Sequence, residues 1–379
     1  MISKIRAAIV GCGAFSRFAM QAFMKCDQIE LVATAEPNPD AAAKSREICD
    51  LPNFESLDQM LKTAGFDLLY IATPPFLHYE QASAALKAGK HVICEKPLTI
   101  KYKQSRELID LAEEKDRLMV TNLMQRYNPL YHKVKELIDS NVLGEFLFGH
   151  FENLAQDEEL GPNHWFWDPE KSGGIFVEHG VHFFDMFEGW FGEGHLLSAQ
   201  SIGRPEGPGE THVYCTMHYK PRGLVHFYHG FHQAERMDRQ EFRLVFERGE
   251  IRLYEWVPTS LQIDTLISRD NVQKIESILP DCTLKTLETL EGVARNRRSY
   301  HKLYEVDLRG HIHWDVGLDK ESLYSRMLLD MIEDQALYIR DNSRQRIITE
   351  KNGLDAVKTA AKARRLADGM KQIERIDHD

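Results

Sequence analysis

Two short stretches hold side chains whose types and placement could do chemistry: "EKP" at 95–97 and "GGIFVEHGVH" at 173–182. Lys96 stands at the end of a strand pattern, where a lone lysine would by default be a surface cation and the company of Glu95 and Pro97 makes that reading weaker. Glu178 and His182 stand four residues apart, a spacing that a helix carries on one face. Imidazole titrates near neutral pH, so His182 suits the base that removes a hydroxyl proton. A carboxylate one turn earlier could orient it, hold substrate hydroxyls, or both. Two other readings of the pair stay open at this point: a metal site, and the polar face of a helix at a domain interface. His179, His182 and Asp185 recur at i, i+3, i+6, and "HFYHGFH" (His226, His229, His232) and "HIH" (His311, His313) follow downstream. Imidazole and carboxylate are common zinc ligands. No zinc-protease-like pattern accompanies them, however, and strand alternation would put His226 and His232 on one face and His229 on the other. No metal is expected.

These side chains need a scaffold, and the first third of the chain supplies one. "RAAIV" (6–10) is a short apolar run that ends in "GCGAFS" and continues as a helical pattern. Gly11 permits a tight turn, Gly13 lets the backbone approach a pyrophosphate, and the helix opening at Ala14 and Phe15 offers N–H groups to its charge. Ser16 replaces a third glycine and is small enough to keep helix and strand close. The second strand ends on Glu36, about 20 residues beyond the turn, where a carboxylate can accept both ribose hydroxyls. Pro37 follows where an arginine would favour a 2′-phosphate, so NAD is expected over NADP. "FDLLYIATPP" (66–75) reads as a buried strand breaking at Thr73-Pro74-Pro75, and "HVICEKPLT" as another ending at Glu95-Lys96-Pro97. Strands alternating with helices imply a parallel, doubly wound sheet whose ligands sit at the strands' C-terminal ends.

Composition bounds the rest. The 379 residues suit two domains, with 43% hydrophobic and 28% charged residues and a net charge of −11. That acidity argues against a nucleic-acid binder, and no apolar run approaches the ~20 residues of a membrane span. The start, "MISKIRAAIVGCGAF", enters folded pattern at once, so no signal peptide is expected. Six scattered cysteines show neither a disulfide framework nor metal-ligand spacing. They read as reduced thiols in a cytoplasmic protein.

Taken together, "AAIVGCGAFS", "LVATAEPNP", "IATPPFLHYEQASAALKAGKHVICEKPLT", "NLMQRYNPLY", "NVLGEF" and "KSGGIFVEHGVHFFD" resemble the glucose–fructose oxidoreductase / inositol dehydrogenase / MocA-like (Gfo/Idh/MocA) family. The resemblance is dense over residues 5–190 and looser beyond, where strands around "EFRLVFERGEIRLY" and a closing helical segment from Ser322 to Ile376 are expected. It implies an α/β protein with an N-terminal Rossmann domain, 1–123, and a C-terminal α+β domain, 124–379, carrying an open, mainly antiparallel sheet. The substrate would bind between them, and the sheet would form homo-oligomer contacts (dimer or tetramer). Residues 124–140 would open the second domain as a helix; 258–312 match poorly and are left unplaced.

The resemblance further implies Lys96, Glu178 and His182 as the catalytic set, with glutamate where the family usually has aspartate. It implies cofactor contacts at Gly11, Gly13, Ala14, Phe15, Glu36, Thr73, Pro74, His78, Glu95 and Lys96, although His78 also suits a helix N-terminus. Gln125, Arg126 and Asn128 fall in a segment that approaches cofactor or substrate, though Arg126 is equally consistent with a helix-surface cation. Trp167, with Trp165, could stack on a sugar or belong to a buried cluster; His179 replaces a usually apolar residue and joins the substrate group. The expected activity is hydride transfer between NAD and a secondary hydroxyl of a sugar, sugar derivative or inositol-like polyol. Two alternatives are an NAD-recycling, glycoside-cleaving enzyme and a non-catalytic NAD-binding regulator.

Overall fold

A computed structural model describes residues 4–157, 160–205, 207–221, 223–299 and 302–376; the outermost residues of both expected domains, including the first three of the opening stretch, lie outside it. The first sheet is built from β1 (Ile5–Val10), β2 (Ile29–Ala35), β3 (Asn53–Phe54), β4 (Leu68–Ile71), β5 (His91–Cys94) and β6 (Met119–Thr121). Its order is β3-β2-β1-β4-β5-β6, every pairing parallel. The near-continuous apolar runs of β1 and β4 follow from burial on both faces. Helices α1 (Ala14–Phe23), α2 (Pro39–Arg46), α3 (Leu57–Thr63), α4 (His78–Lys87) and α5 (Tyr102–Lys115) make the crossovers. Local chemistry starts them: Asn38 Oδ1 accepts from Asp40 N and Ala41 N while Pro39 occupies the first turn of α2.

The second sheet has nine strands: β7 (Phe146–Ala155), β8 (Gly194–Gly203), β9 (Glu210–Tyr219), β10 (Gly223–Phe231), β11 (Arg239–Phe246), β12 (Gly249–Tyr254), β13 (Ser260–Ile267), β14 (Thr283–Thr289) and, beyond a small β15–β16 hairpin (Asn296–Ser299 and Lys302–Glu305), β17 (Leu308–Asp315). It is mixed but mainly antiparallel, in the order β14-β17-β13-β12-β11-β7-β10-β9-β8; among the described residues only β7 and β10 pair in parallel. The unplaced stretch 258–312 is thus the far wing of this sheet, with α9 (Arg269–Ile278) between β13 and β14. Residues 124–140 differ from the single helix expected: a 3₁₀ turn over Met124–Tyr127 precedes α6 (Pro129–Asp139), and Asn128 caps α6 by accepting from Leu130 N.

The chain then returns to its beginning. Helix α10 (Lys320–Arg340) packs on α1, burying Leu323, Met327, Leu328, Met331 and Ile332 in one core with Ile5, Ile9, Met20 and Tyr70. Each such side chain contributes about 1.5–3 kcal/mol by burial, so α10 is part of the first layer structure although it lies far beyond residue 123. Helix α11 (Glu350–Ile376) lies against α5, β6 and β8 and bridges both sheets.

Candidate active site

The two glycines at 173–174 do what only glycine does readily. Both lie at positive φ (+85° and +79°), and a Cβ on Gly174 would meet Glu210 Oε2 at 2.9 Å. They turn the chain out of a short helix, α7 (Pro169–Ser172), into the segment carrying Glu178. That segment, Phe176–Gly180, is a π-helical turn running into α8 (Val181–Phe191). The α-helical spacing assumed from sequence is therefore replaced by a wider turn, of a kind found frequently at functional sites. Glu178 and His182 nevertheless both line one cleft of about 860 Å³ between the two sheets.

Lys96 enters that cleft from the C-terminal end of β5. Its Nζ donates to Glu178 Oε1 at 2.7 Å and to the Glu178 carbonyl at 3.0 Å. An ammonium has three donors, so one remains for a ligand. His182 is buried, with Nδ1 enclosed and without a hydrogen-bond partner among the described residues. Burial, reinforced by the Lys96 charge, holds its pKa well below the ordinary imidazole value, so the ring is neutral near pH 7. Trp256, just beyond β12, packs edge-on to it at 4.7 Å between ring centroids.

His179 also borders the cleft, with Nε2 buried and without a hydrogen-bond partner among the described residues, and burial again depresses its pKa, with His229 adding to the effect. His229 stands behind it on β10 at 5.3 Å between centroids; neither of its ring nitrogens has a partner among the described residues, and burial takes its pKa down to about 3. His226 is exposed on the opposite face of the strand. Among the described residues no three His, Cys, Asp or Glu side chains gather as a metal site.

The glycine turn tests whether a dinucleotide fits. Gly11 has φ +87°, and a Cβ there would meet the Ala72 carbonyl oxygen at 2.7 Å. A Cβ on Gly13 would meet nothing within 4 Å, and Gly13 caps α1 without a side-chain hydrogen bond. Open space thus lies before helix N–H groups, as a pyrophosphate requires. Beside it a hollow of about 420 Å³ reaches Glu36 and is bordered by Gly11, Gly13, Thr73 and Pro74. Glu36 is held by Cys12 N at 2.8 Å and Asn38 N at 2.9 Å, each on a different oxygen, leaving further lone pairs for ribose hydroxyls. The residues present fit the group.

Ala14, Phe15, Thr73, Pro74, Glu95 and Lys96 all border the main cleft. Glu95 accepts from Asn122 Nδ2 at 2.8 Å and from the Tyr70 hydroxyl, and burial raises its pKa. Other expected residues are placed elsewhere. His78 lies behind the loops, its Nδ1 at 2.8 Å from the Pro97 carbonyl and Nε2 at 2.8 Å from that of Thr73; its position ties the two strand ends together. Gln125 donates to the Trp256 carbonyl at 2.7 Å, Asn128 to that of Pro258 at 3.1 Å, and neither borders the cleft. Arg126 departs from both expected readings: it forms a partly buried, bidentate pair with the buried Asp185 at 2.7 and 2.9 Å. Trp167 is buried under Arg204, whereas Trp165 and Phe166 face the cleft. Trp256, Tyr324, Asn122, Asn153 and Gln240 border it too. Trp256, Tyr324, Asn153 and Gln240 were missed from sequence because they arrive from distant elements and carry no motif; Asn122 opens the stretch "NLMQRYNPLY" and was passed over for Gln125, Arg126 and Asn128.

Two family models match in sequence order: an oxidoreductase family with an NAD-binding Rossmann fold over residues 5–123, and a GFO/IDH/MocA C-terminal domain over 131–252. The chain belongs to the GFO/IDH/MocA oxidoreductase family. It is 29% identical over 230 residues to an uncharacterized oxidoreductase of Schizosaccharomyces pombe, covering 58% of this chain and 62% of that protein. It is 28% identical over 182 residues to an NADP-dependent D-xylose 1-dehydrogenase of Haloarcula marismortui, covering 46% and 51%. The chain thus spans about half to three-fifths of the length of the curated relatives it matches. A levoglucosan dehydrogenase in complex with NADH shares the fold, with a TM-score of 0.75 at 17% identity over 97% of this chain and 98% of that one. No described helix of this family member is long and apolar enough to cross a membrane.

Proposed function

We propose that the protein is an NAD-dependent dehydrogenase of a secondary hydroxyl on a sugar, sugar derivative or inositol-like polyol. The observation that carries this reading is the convergence of Lys96, Glu178 and His182 on one cleft beside the open Gly13 turn. Bound nicotinamide supplies the hydride acceptor; the chain's own side chains manage the proton and the geometry. Lys96, anchored by its two bonds to Glu178, directs its third N–H at the alcohol oxygen and stabilises charge growing there. His182, kept neutral by burial, accepts the hydroxyl proton. Glu178 fixes Lys96 by two atoms of one residue, which holds the donor within the narrow tolerance that catalysis requires. Trp256 walls the base from bulk water. Glu36 followed by Pro37 favours NAD, since the carboxylate accepts ribose hydroxyls and repels a 2′-phosphate. The named activities of the xylose and levoglucosan dehydrogenases support a carbohydrate-like substrate. Self-association through the second sheet belongs to the same proposal, because Ile202, Tyr214 and Leu224 are exposed on one of its faces.

The test is nicotinamide absorbance of the purified protein with NAD and a panel of free sugars, inositols and glycosides, with products analysed from the same tubes. Sustained NADH formation with one compound, lost in Lys96→Ala and His182→Ala while NAD binding persists, is the expected result. Wild-type rates in both variants would refute the assignment.

A further inference from the structure

Beyond Lys96, Glu178 and His182 the cleft does not close. It continues past Trp256 to the end of β7 and the start of β11, where Gln156, Asp238 and Gln240 border it and Trp165 forms a partly exposed aromatic wall. Gln156 also borders an adjoining hollow of about 320 Å³ that reaches His232 and Glu235. A flat aromatic ring beside side-chain amides matches a sugar or aryl ring, whose C–H or π face stacks while its polar edge bonds to the amides. The charge here is negative. Asp238 and Glu235 are both exposed and outnumber the adjacent Arg236, while nearby Arg239 is engaged by Glu152 and Lys320 by Glu255 at 2.9 Å. Carboxylates at the mouth of a cleft oppose the approach of anions.

We infer that the cleft accepts a two-unit substrate, a neutral or amino-bearing disaccharide or aryl glycoside, with one ring at Lys96 and the second unit between Trp165 and Gln240. This rests on the dehydrogenase reading of the same site. Free monosaccharides leave the second region filled only with water, and uronates and nucleotide sugars bring the wrong charge to it.

The experiment compares kcat/KM, read as NADH formation, for one free sugar, its disaccharide, its aryl glycoside and its uronate. The disaccharide or the aryl glycoside should exceed the free sugar by about tenfold or more, mainly through KM, roughly what one good stacking or hydrogen-bonding contact supplies. Trp165→Ala and Gln240→Ala should each shrink that ratio to about twofold, and the pair Glu235→Gln with Asp238→Asn should raise uronate turnover several-fold relative to the free sugar. A free sugar that matches both larger compounds, or a preference that survives both alanine variants, overturns the two-unit assignment and leaves the dehydrogenase standing. A uronate preferred over the free sugar by the unmodified protein overturns the charge assignment. Absence of NADH from every compound overturns the dehydrogenase reading instead.

Discussion

Shortening Glu178 by one methylene is the sharpest probe of the site. Glu178→Asp keeps the charge and the backbone carbonyl that accepts from Lys96 at 3.0 Å, but withdraws the carboxylate now 2.7 Å from Nζ. A retreat of about 1 Å takes that contact beyond hydrogen-bonding range. Both side chains are mostly enclosed, at 21% and 11% exposure, so solvent screens the loss little. A hydrogen bond to a charged group is worth about 1.5–3 kcal/mol, and losing it in the transition state lowers kcat by about 10- to 150-fold. The assay is initial NADH formation with the best compound of the panel, with NAD affinity measured separately to show that the cofactor half is intact. Glu178→Gln, which preserves length and loses charge, should fall between wild type and the aspartate variant. An aspartate variant within about twofold of wild type would refute the claim that this carboxylate sets the position of Lys96.

Three further outcomes follow from other contacts. Replacing Glu36 with alanine should weaken NAD binding by tenfold or more, by about one to two hydrogen bonds, and adding Pro37→Arg should raise NADP affinity; calorimetric titration checks both, and unchanged NAD affinity would refute the ribose role. Arg126→Met should lower stability by about 3 kcal/mol, because Asp185 is left buried without its cation; thermal melting reads this, and a large rise in substrate KM without a fall in Tm would restore the substrate-contact reading. His229 has a folded pKa of about 3 against about 6.5 unfolded, so the unfolded chain binds its proton first; stability is full above about pH 6.5 and falls toward pH 3 by at most about 1.4 kcal/mol per pH unit. His229→Phe should flatten that acid decline in a pH series of melting curves, and an unchanged slope would count against a neutral buried imidazole.

The cofactor half was legible because its demands fall on residue types at close range. A positive-φ turn beneath a carbonyl requires glycine at 11, and Glu36 stands out as a carboxylate at a strand end bordering the same hollow. Lys96 and Glu178 stood out because each sits in a short motif, Lys96 at the end of β5 and Glu178 after the paired glycines at 173–174. The turn carrying Glu178 did not, since a π-helical turn has no composition of its own and differs from an α-turn only in hydrogen-bond register. Trp165 and Trp167 share one 3₁₀ turn, on which successive side chains rotate by about 120°; which of them meets the cleft depends on how the turn docks. The pairing of Arg126 with Asp185, 59 residues later, depends on α8 packing beside the 3₁₀ turn. Trp256 and Tyr324 likewise become neighbours of the site only after the second sheet and α10 are in place.

The return of α10 to the first sheet has a consequence during synthesis. The side of β1 formed by Ile5, Ala7 and Ile9 shares a core with Met20 and Phe23 of α1 and with Leu323, Met327 and Met331, so part of its cover emerges from the ribosome some 300 residues after it. At about 5–20 residues per second that interval is about 15–60 s. The nascent first sheet spends it with part of that apolar flank uncovered, and it can complete its hydrophobic packing only once α10 has emerged.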